Sequence, residues 1–600
     1  MPRSVRGGNS MTDWIQLRET KLQTGVTLED YRGFVERGVY YVDKTWFIRD
    51  FLRDGNQVVM YTRPRRFGKT LMLSTIRAFV EKMYDRNGNL VDNRPFFEGR
   101  RIMDAEPEIL EQMGKYPVIW YSLKDCNQVN FDSFSLWMKA TLSNAARPHD
   151  YLLDSHIIKE DEKKLFGRIL DRSLSVGDAA NAFVSLADWI YRDTGVKPII
   201  LIDEYDTPLQ WAHEYGYYEK VLPIMRSMLG AALKTNNNFH KALLTGCLRI
   251  SKESIFTGFN NPVVHSILHD ENNEYFGFSH DEVREMLHYY ELDDEYPEIE
   301  SWYDGYLFGK NNVFNPYCLV LCIHAILVAK CDQQLGKKGE SIGPYRSYWS
   351  NSSGNAIINE LIRKHPEFRD DVESLLAGKT VEKSIYEFIT YSDLDQIPDV
   401  IWTILLYAGY LKSVRTYKDA DEKIFAELKI VNREVRSIFP VFISRFLSEN
   451  IRNNDLHAFY QDLWDCKPDK VRGYLNKLLV STISYYDQKE SFYHGIMTGV
   501  LSCIINVEIK SNRESGHGRP DIVLRDMQNY RAIVFEFKYS DTLAQIKRDA
   551  DLAMQQIHDR HYVEELIAEG YETVLQVGIA FFAKICAVRI EQSSHGFLGS

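Results

Sequence analysis

The sequence has no second pair of cysteines to set beside its one close pair. Eight Cys are scattered over 600 residues, and only Cys318 and Cys322 lie near each other. A zinc finger or a disulfide framework needs pairs at set spacings, so the cysteines are read as reduced core residues and the compartment as the cytoplasm. A membrane-length apolar run is missing too. The uncharged stretch PYCLVLCIHAILVA (316–329) falls short of the roughly 18 to 20 apolar residues of a span, so it is read as a buried helix and no membrane partner is expected. The opening MPRSVRGGNS carries basic residues but no apolar core, which argues against a signal peptide and leaves Met11 open as the natural start. Positive charge is not in excess either. A net charge of −12 argues against gripping nucleic acid by bulk electrostatics, while leaving room for a local, metal-filled cleft. Neither an internal repeat nor a low-complexity linker is visible.

What is there reads as several folded units. Six hundred residues exceed one core, and roughly three or four domains are expected. From about 30 to 280, apolar runs at 57–61, 117–123, 198–203 and 241–246 alternate with amphipathic stretches, the mark of a parallel sheet covered on both faces. Between 281 and 455 helical patterns dominate, with a small β element around AELKIVN (426–432). Strand patterns then recur at 504–510, 521–525, 532–538, 573–582 and 586–590. The resulting division is a tail over 1–24, a P-loop α/β domain over 25–280, a mainly helical lid or linker over 281–455, and a C-terminal α/β domain over 456–600.

The first strand runs into TRPRRFGKTLMLS (62–74). Gly68-Lys69-Thr70 at a helix start is the phosphate-loop arrangement: backbone N–H groups cradle phosphates, Lys69 meets their outer oxygens, and the Thr70 hydroxyl holds Mg²⁺. The loop lacks its usual first glycine, since Arg63 stands there. About 130 residues on, PIILIDE (198–204) is an apolar strand ending in two acids, with Asp203 as the Mg²⁺ residue and Glu204 as the residue that polarises attacking water. Thr245 ends another strand as a polar sensor of the outer phosphate, and Arg249, one short loop beyond it, is the candidate finger or sensor residue of the same nucleotide site. Arg65 and Arg66 have three partners open to them: phosphates, a partner subunit and Asp206.

Near the far end, GHGRPDIVLRDMQNYRAIVFEFKYS (516–540) sets Asp521 at the start of one strand and Glu536 and Lys538 at the end of the next. A polar turn at DMQNY makes the two strands antiparallel and brings their far ends together. Glu536 and Lys538, two residues apart, share a face. Two carboxylates converging beside a lysine suit phosphodiester hydrolysis: Asp521 and Glu536 hold Mg²⁺, and Lys538 orients water or stabilises developing charge. Charges set among such apolar strands are costly unless metal or partners compensate.

YYVDKTWFI (40–48), the Arg-Pro-Arg-Arg-Phe-Gly-Lys-Thr loop, LIDEYDTPL (201–209), LTGCLRISKESIFTGFNN (244–261), WYDGYLFG (302–309) and FNPY (314–317) resemble the AAA-ATPase-like family over residues 25–320. In that family the loop without its first glycine is the normal form, and the resemblance implies ATP binding. The C-terminal pattern resembles the PD-(D/E)XK nuclease superfamily over 488–590. That resemblance matches Asp521, Glu536 and Lys538 to its signature and implies an additional acidic ligand, Glu490, on the first helix. It also implies a polar residue on the following helix, Gln556, with Gln555 as the alternative. His494 is read as a satisfied helix histidine.

Together these readings give an ATP-binding protein, expected to be an ATPase, joined to a Mg²⁺-dependent nuclease. Nucleic acid is the expected partner, DNA ahead of RNA, with a homo-oligomer or a protein trigger as further partners. The alternative is a nucleotide-dependent regulatory protein whose nuclease fold does not cut. By analogy alone, bacterial defence is a setting for such a protein.

Overall fold

Four of the apolar runs form the heart of the N-terminal half. The computed structural model describes residues 14–25, 28–234, 236–249, 262–336, 343–349, 368–376, 378–391, 393–438, 453–482, 493–494, 497, 500–501, 507–511, 520–527 and 529–594. In it the runs are β1 (Val58–Thr62), β2 (Val118–Ser122), β3 (Ile199–Asp203) and β4 (Ala242–Gly246), joined by a short β5 (Val263–His265). The order is β2-β3-β4-β1-β5 and every pairing is parallel. Every residue of β1, β3 and β4 is buried, so their sequences read as unbroken apolar runs without alternation. At three residues, β5 is too short to give such a run. The order sets the carboxyl ends of β3, β4 and β1 side by side, the edge where open parallel sheets bind ligands.

Residues 281–455 contain the expected helices, among them His280–Tyr289, Tyr296–Tyr303, Pro316–Gln334 and Val400–Tyr407. They also contain more strand than the sequence suggested. β6 (Tyr306–Phe308) and β7 (Asn311–Val313) form a hairpin, and β8 (Val381–Ile385), β9 (Leu411–Lys418) and β10 (Ile424–Ile430) form an antiparallel sheet in the order β8-β10-β9. The β element expected around 426–432 is thus the central strand of three. Its neighbours VEKSI and LKSVRTYK escaped notice because charged residues break their apolar pattern. The helix Pro316–Gln334 is longer than its uncharged stretch. By length and composition alone it suffices to cross a membrane, and it buries Cys318, Leu319, Cys322, Ile323 and Ile326 along one side.

Residues 1–351 with 380–435 make one compact unit, and 352–379 with 436–600 make another. The second is built on β11 (Glu508–Ser511), β12 (Ile522–Asp526), β13 (Arg531–Tyr539), β14 (Thr573–Phe582) and β15 (Ile585–Ser594), in that order across the sheet. All pairings are antiparallel except β13 with β14. Side chains of β13 alternate between two cores. Ile533, Phe535 and Phe537 pack with Leu463 and Leu475 from the helices Asn453–Trp464 and Pro468–Thr482. Ala532 and Val534 pack with Met554 and Ile557 of the helix Ile546–Asp559. Alternation therefore puts Glu536 and Lys538 on the second face, where its apolar row ends.

Candidate functional sites

The phosphate loop lies between β1 and the helix Lys69–Val80, with Gly68 at its N-cap in the left-handed region (φ 77°). Lys69 is buried and its Nζ donates to the carbonyl oxygens of Arg63 (3.0 Å) and Pro64 (2.9 Å). The same ammonium pairs with Glu204 Oε1 at 3.0 Å. Glu204 reaches it from a left-handed backbone (φ 52°), an uncommon conformation for a residue with a Cβ and one that recurs at functional sites. Burial works against the Lys69 charge, and Cys247, Glu204 and Asp206 outweigh it, holding the pKa above its ordinary value.

Asp203 is clamped by two threonine hydroxyls, Thr70 Oγ1 to Oδ2 and Thr245 Oγ1 to Oδ1, each at 2.8 Å. Thr70 donates its proton to the carboxylate, so its oxygen lone pairs are left for a cation beside Asp203. Lys69, Thr70, Asp203, Glu204 and Thr245 are thus brought into one cluster. Arg66 and Arg249 are placed elsewhere: the Arg66 guanidinium lies 3.8 Å from the centre of the Tyr317 ring and that of Arg249 lies 4.1 Å from the centre of Phe388. Arg65 donates to Gln210 Oε1 at 2.7 Å. Asp206, which the sequence offered only as a partner for the arginines, accepts from the backbone N–H groups of Cys247 (3.0 Å) and Leu248 (2.9 Å) and is buried among the cluster.

In the second unit, the pairing of Ile522 with Phe535 sets Asp521 opposite Glu536. Asp521 Oδ2 accepts from the Phe537 N–H at 2.7 Å. Burial pushes its carboxyl above the usual range, held back by the Phe537 N–H, His494 and Lys538. Glu536 is 3% exposed, and Lys538 Nζ lies 3.9 Å from its Oε1. Gln556 joins the two: its Oε1 accepts from Lys538 Nζ at 2.6 Å and its Nε2 donates to Glu536 Oε1. Gln555 is exposed one position away, so the helix presents the first candidate and not the alternative. His494 Nε2 donates to the Asp521 carbonyl at 2.9 Å, a satisfied helix histidine that also braces the site. Glu490 lies outside the described residues.

Two further residues build this site. Gly578 pairs with Glu536 in the sheet register, and a Cβ there would stand 2.8 Å from Met554 Cγ and 2.9 Å from the Ala550 carbonyl. Its bare Cα lets the helix Ile546–Asp559 close on the sheet and bring Gln556 to Glu536. Gly578→Ala is expected to destabilise this unit by about 1–3 kcal/mol, the usual penalty for overpacking, read as a lowered midpoint in thermal melting. Tyr562, buried in the following helix, stands within the fields of Glu536 and Asp521, and burial with those two charges raises its hydroxyl pKa. Its place in a helix following the site gave no sequence signal.

These two oxygen-rich clusters coincide with two family matches. Residues 25–256 match the family described as "Predicted AAA-ATPase", and residues 488–591 match the PD-(D/E)XK nuclease superfamily. The chain joins an AAA-ATPase-like domain to a PD-(D/E)XK nuclease-superfamily domain. An uncharacterized protein in the vnfD 5' region of Azotobacter chroococcum mcd 1 is 22% identical over 552 residues, 90% of this chain and 93% of that protein. No solved structure matches.

In the ATPase-like domain, burial and the Glu204 charge push both Asp203 and Asp206 up to about 6. Raised carboxyl values mean that the fold favours the protonated acids. Their contribution to stability is fullest below the ordinary carboxyl range and is lost as pH rises through about 6. A cation must displace the same protons. Mg²⁺-dependent nucleotide affinity is therefore expected to be level above pH 7 and to fall about tenfold per unit below pH 6 for each proton displaced, as titration calorimetry across pH 5–8 would read.

Proposed function

We propose that this protein is an ATPase whose nucleotide state governs a Mg²⁺-dependent nuclease acting on nucleic acid, DNA ahead of RNA, in the cytoplasm. The observation that carries the reading is the convergence of Asp521, Glu536, Lys538 and Gln556 at the end of one sheet face. Asp521 and Glu536 fit a divalent cation, being two half-buried or buried carboxylates of which one is raised by burial. When bound, that ion shields the scissile phosphate and acidifies water. Lys538 holds its ammonium over the same spot, where it steadies a water or the developing negative charge. Gln556 fixes Lys538 and Glu536 at one separation.

In the ATPase-like domain, Lys69 exchanges Glu204 for the outer phosphates of ATP. Glu204, released, takes a proton from the attacking water. Thr70 and Asp203 fit Mg²⁺, the ion that neutralises phosphate charge there. Because the chain is acidic overall, a second copy or a protein trigger supplies the remaining hold on nucleic acid.

The test is cleavage of single- and double-stranded DNA and of RNA with Mg²⁺ or Mn²⁺, with and without ATP. Metal-dependent cutting that responds to ATP is expected. No cutting of any substrate while ATP is turned over would reassign the protein as a nucleotide-dependent regulator with a non-cleaving nuclease fold.

A further inference from the structure

His280 opens the helix His280–Tyr289, Glu300 lies in the helix Tyr296–Tyr303, and Asp304 caps the end of that helix. None of the three belongs to either site above. One donor atom from each lies within 4.8 Å of the others, and all three residues are half-buried. The imidazole stands between the acids: Nδ1 is 3.5 Å from Glu300 Oε1, and Nε2 is 3.5 Å from Asp304 Oδ1. The Phe314 ring backs it edge to face, with centres 5.1 Å apart. Among the described residues no lysine or arginine forms an ion pair with Glu300 or Asp304. Burial pushes the Lys412 ammonium below its ordinary pKa, and the Asp304 charge raises it without closing to an ion pair.

The hydrogen bonds fix which ring nitrogen carries the proton. A hydroxyl has one proton to give, and Tyr296 gives its own to Glu300 Oε1 at 3.1 Å. Its oxygen, 2.7 Å from His280 Nδ1, therefore accepts from Nδ1–H. In the neutral imidazole Nε2 is then a bare lone pair facing a carboxylate oxygen of Asp304. The Asn312 amide nitrogen lies 3.2 Å from Nε2, yet its protons are directed to Asp304 Oδ1 (3.1 Å) and Oδ2 (2.8 Å). Two lone pairs opposed at 3.5 Å call for a positive charge between them, either a second ring proton or a metal ion. A second ring proton would draw nitrogen and oxygen to about 2.8 Å, the length of a charge-assisted hydrogen bond. The wider spacing is that of a metal centre, since two ligands held at about 2.1 Å on a tetrahedral ion stand about 3.4 Å apart.

We propose that His280 Nε2, Asp304 and Glu300 bind one first-row transition-metal cation of the Zn²⁺ type, at a third site independent of the ATP and nuclease readings. An imidazole nitrogen with two carboxylates favours such an ion over Mg²⁺ or Ca²⁺, which take oxygen ligands. Tyr296 supplies the outer contact that a metal-bound histidine ordinarily makes through its other ring nitrogen, and Asn312 steadies Asp304 in the same way. Three protein ligands leave a coordination position for water. The ion would hold the start of one helix to the end of the following one, beside the hairpin strand β7 that carries Asn312. The competing account is a proton-bridged ion pair, in which a protonated His280 joins the two acids and no metal is taken up.

The experiment is uptake of Zn²⁺ near neutral pH by the full-length protein, first cleared of metal with a chelator, and by its His280→Gln and Tyr296→Phe variants. Equilibrium dialysis with metal analysis counts the bound ions, and thermal melting with and without Zn²⁺ reads their effect on the fold. Because Zn²⁺ also enters carboxylate sites, the difference between the proteins is the quantity that decides. Wild type is expected to bind one more Zn²⁺ than His280→Gln, and Zn²⁺ should raise its melting temperature by a margin that His280→Gln lacks. Tyr296→Phe should keep the extra ion with about tenfold weaker affinity. A large excess of Mg²⁺ should leave that ion in place. Equal uptake and an equal melting response in wild type and His280→Gln would overturn the proposal in favour of the proton bridge. Loss of the extra ion to Mg²⁺ would overturn it too. Should His280→Gln not fold, Glu300→Gln at its half-buried position takes over the comparison: about tenfold weaker Zn²⁺ binding supports the site, and unchanged binding overturns it.

Discussion

Lys538→Ala is expected to lower metal-dependent cleavage about 100- to 1000-fold, the usual effect of deleting one preorganised group that meets developing charge. The side chain is 30% exposed, and its ammonium is held by Gln556 at 2.6 Å and by Glu536 at 3.9 Å. Deletion removes the charge without opening a cavity in either core, and a partly exposed pair of this kind is worth about 1 kcal/mol or less to stability. Single-turnover cleavage should therefore collapse while the melting temperature barely moves. Undiminished cutting by Lys538→Ala would mean that the activity arises elsewhere. A variant that loses activity and melts early would point to a damaged fold instead. Gln556→Leu gives a useful comparison, because it frees both partners yet leaves the ammonium in place.

The second large effect is expected at Lys69. Lys69→Ala should weaken ATP binding by about 100-fold or more, since the ammonium is the group that meets the outer phosphates. It should also destabilise the ligand-free protein by about 3 kcal/mol, because Glu204 would be left as a mostly buried charge without its partner. The double variant Lys69→Ala, Glu204→Gln separates the two: it should recover most of the lost stability and none of the affinity. Equilibrium unfolding and nucleotide titration on the same samples would read both. ATP affinity that survives in Lys69→Ala would remove the phosphate loop from the binding site. Cleavage assays of these variants would further show whether the nuclease waits on the nucleotide, since ATP should then have no influence on either.

Much of this was legible in the sequence, for reasons that differ from place to place. The buried strands β1, β3 and β4 announce themselves because nothing polar interrupts them, and the residues at their ends, Thr245 and the pair Asp203 and Glu204, stand out by contrast. Asp521, Glu536 and Lys538 were readable because a tight turn fixes the register of two adjacent strands. The antiparallel sheet β8-β10-β9 was mostly hidden, as its outer strands carry charge at positions that alternation would make apolar. Interactions set by packing between elements were hidden as well. Tyr562 near Glu536 and Asp206 under the loop after β4 depend on how helices settle on the sheets, which spacing alone does not encode. Gly578 had a signal in principle: a lone glycine inside the apolar run TVLQVGIAFF marks a close approach of another backbone. Arg66 and Arg249 show the opposite limit. Their charge suggested phosphate, and nothing in the spacing pointed to the rings of Tyr317 and Phe388 on which their guanidinium groups lie.

The position of β13 has a bearing on how the nuclease-superfamily site can fail. Glu536 and Lys538 ride on a strand that is paired with β14 along its whole length and with β12 as far as Phe535, beyond which the Phe537 N–H donates to the Asp521 carboxylate. Most active sites hang on loops that can fray while the scaffold survives. Here fraying would have to break the β14 ladder at its middle, so partial breathing at the ends of the sheet should leave the charged groups in register. The site is thus expected to be lost in one step with the sheet, and a sample of this protein under stress would divide into molecules with an intact centre and molecules with none.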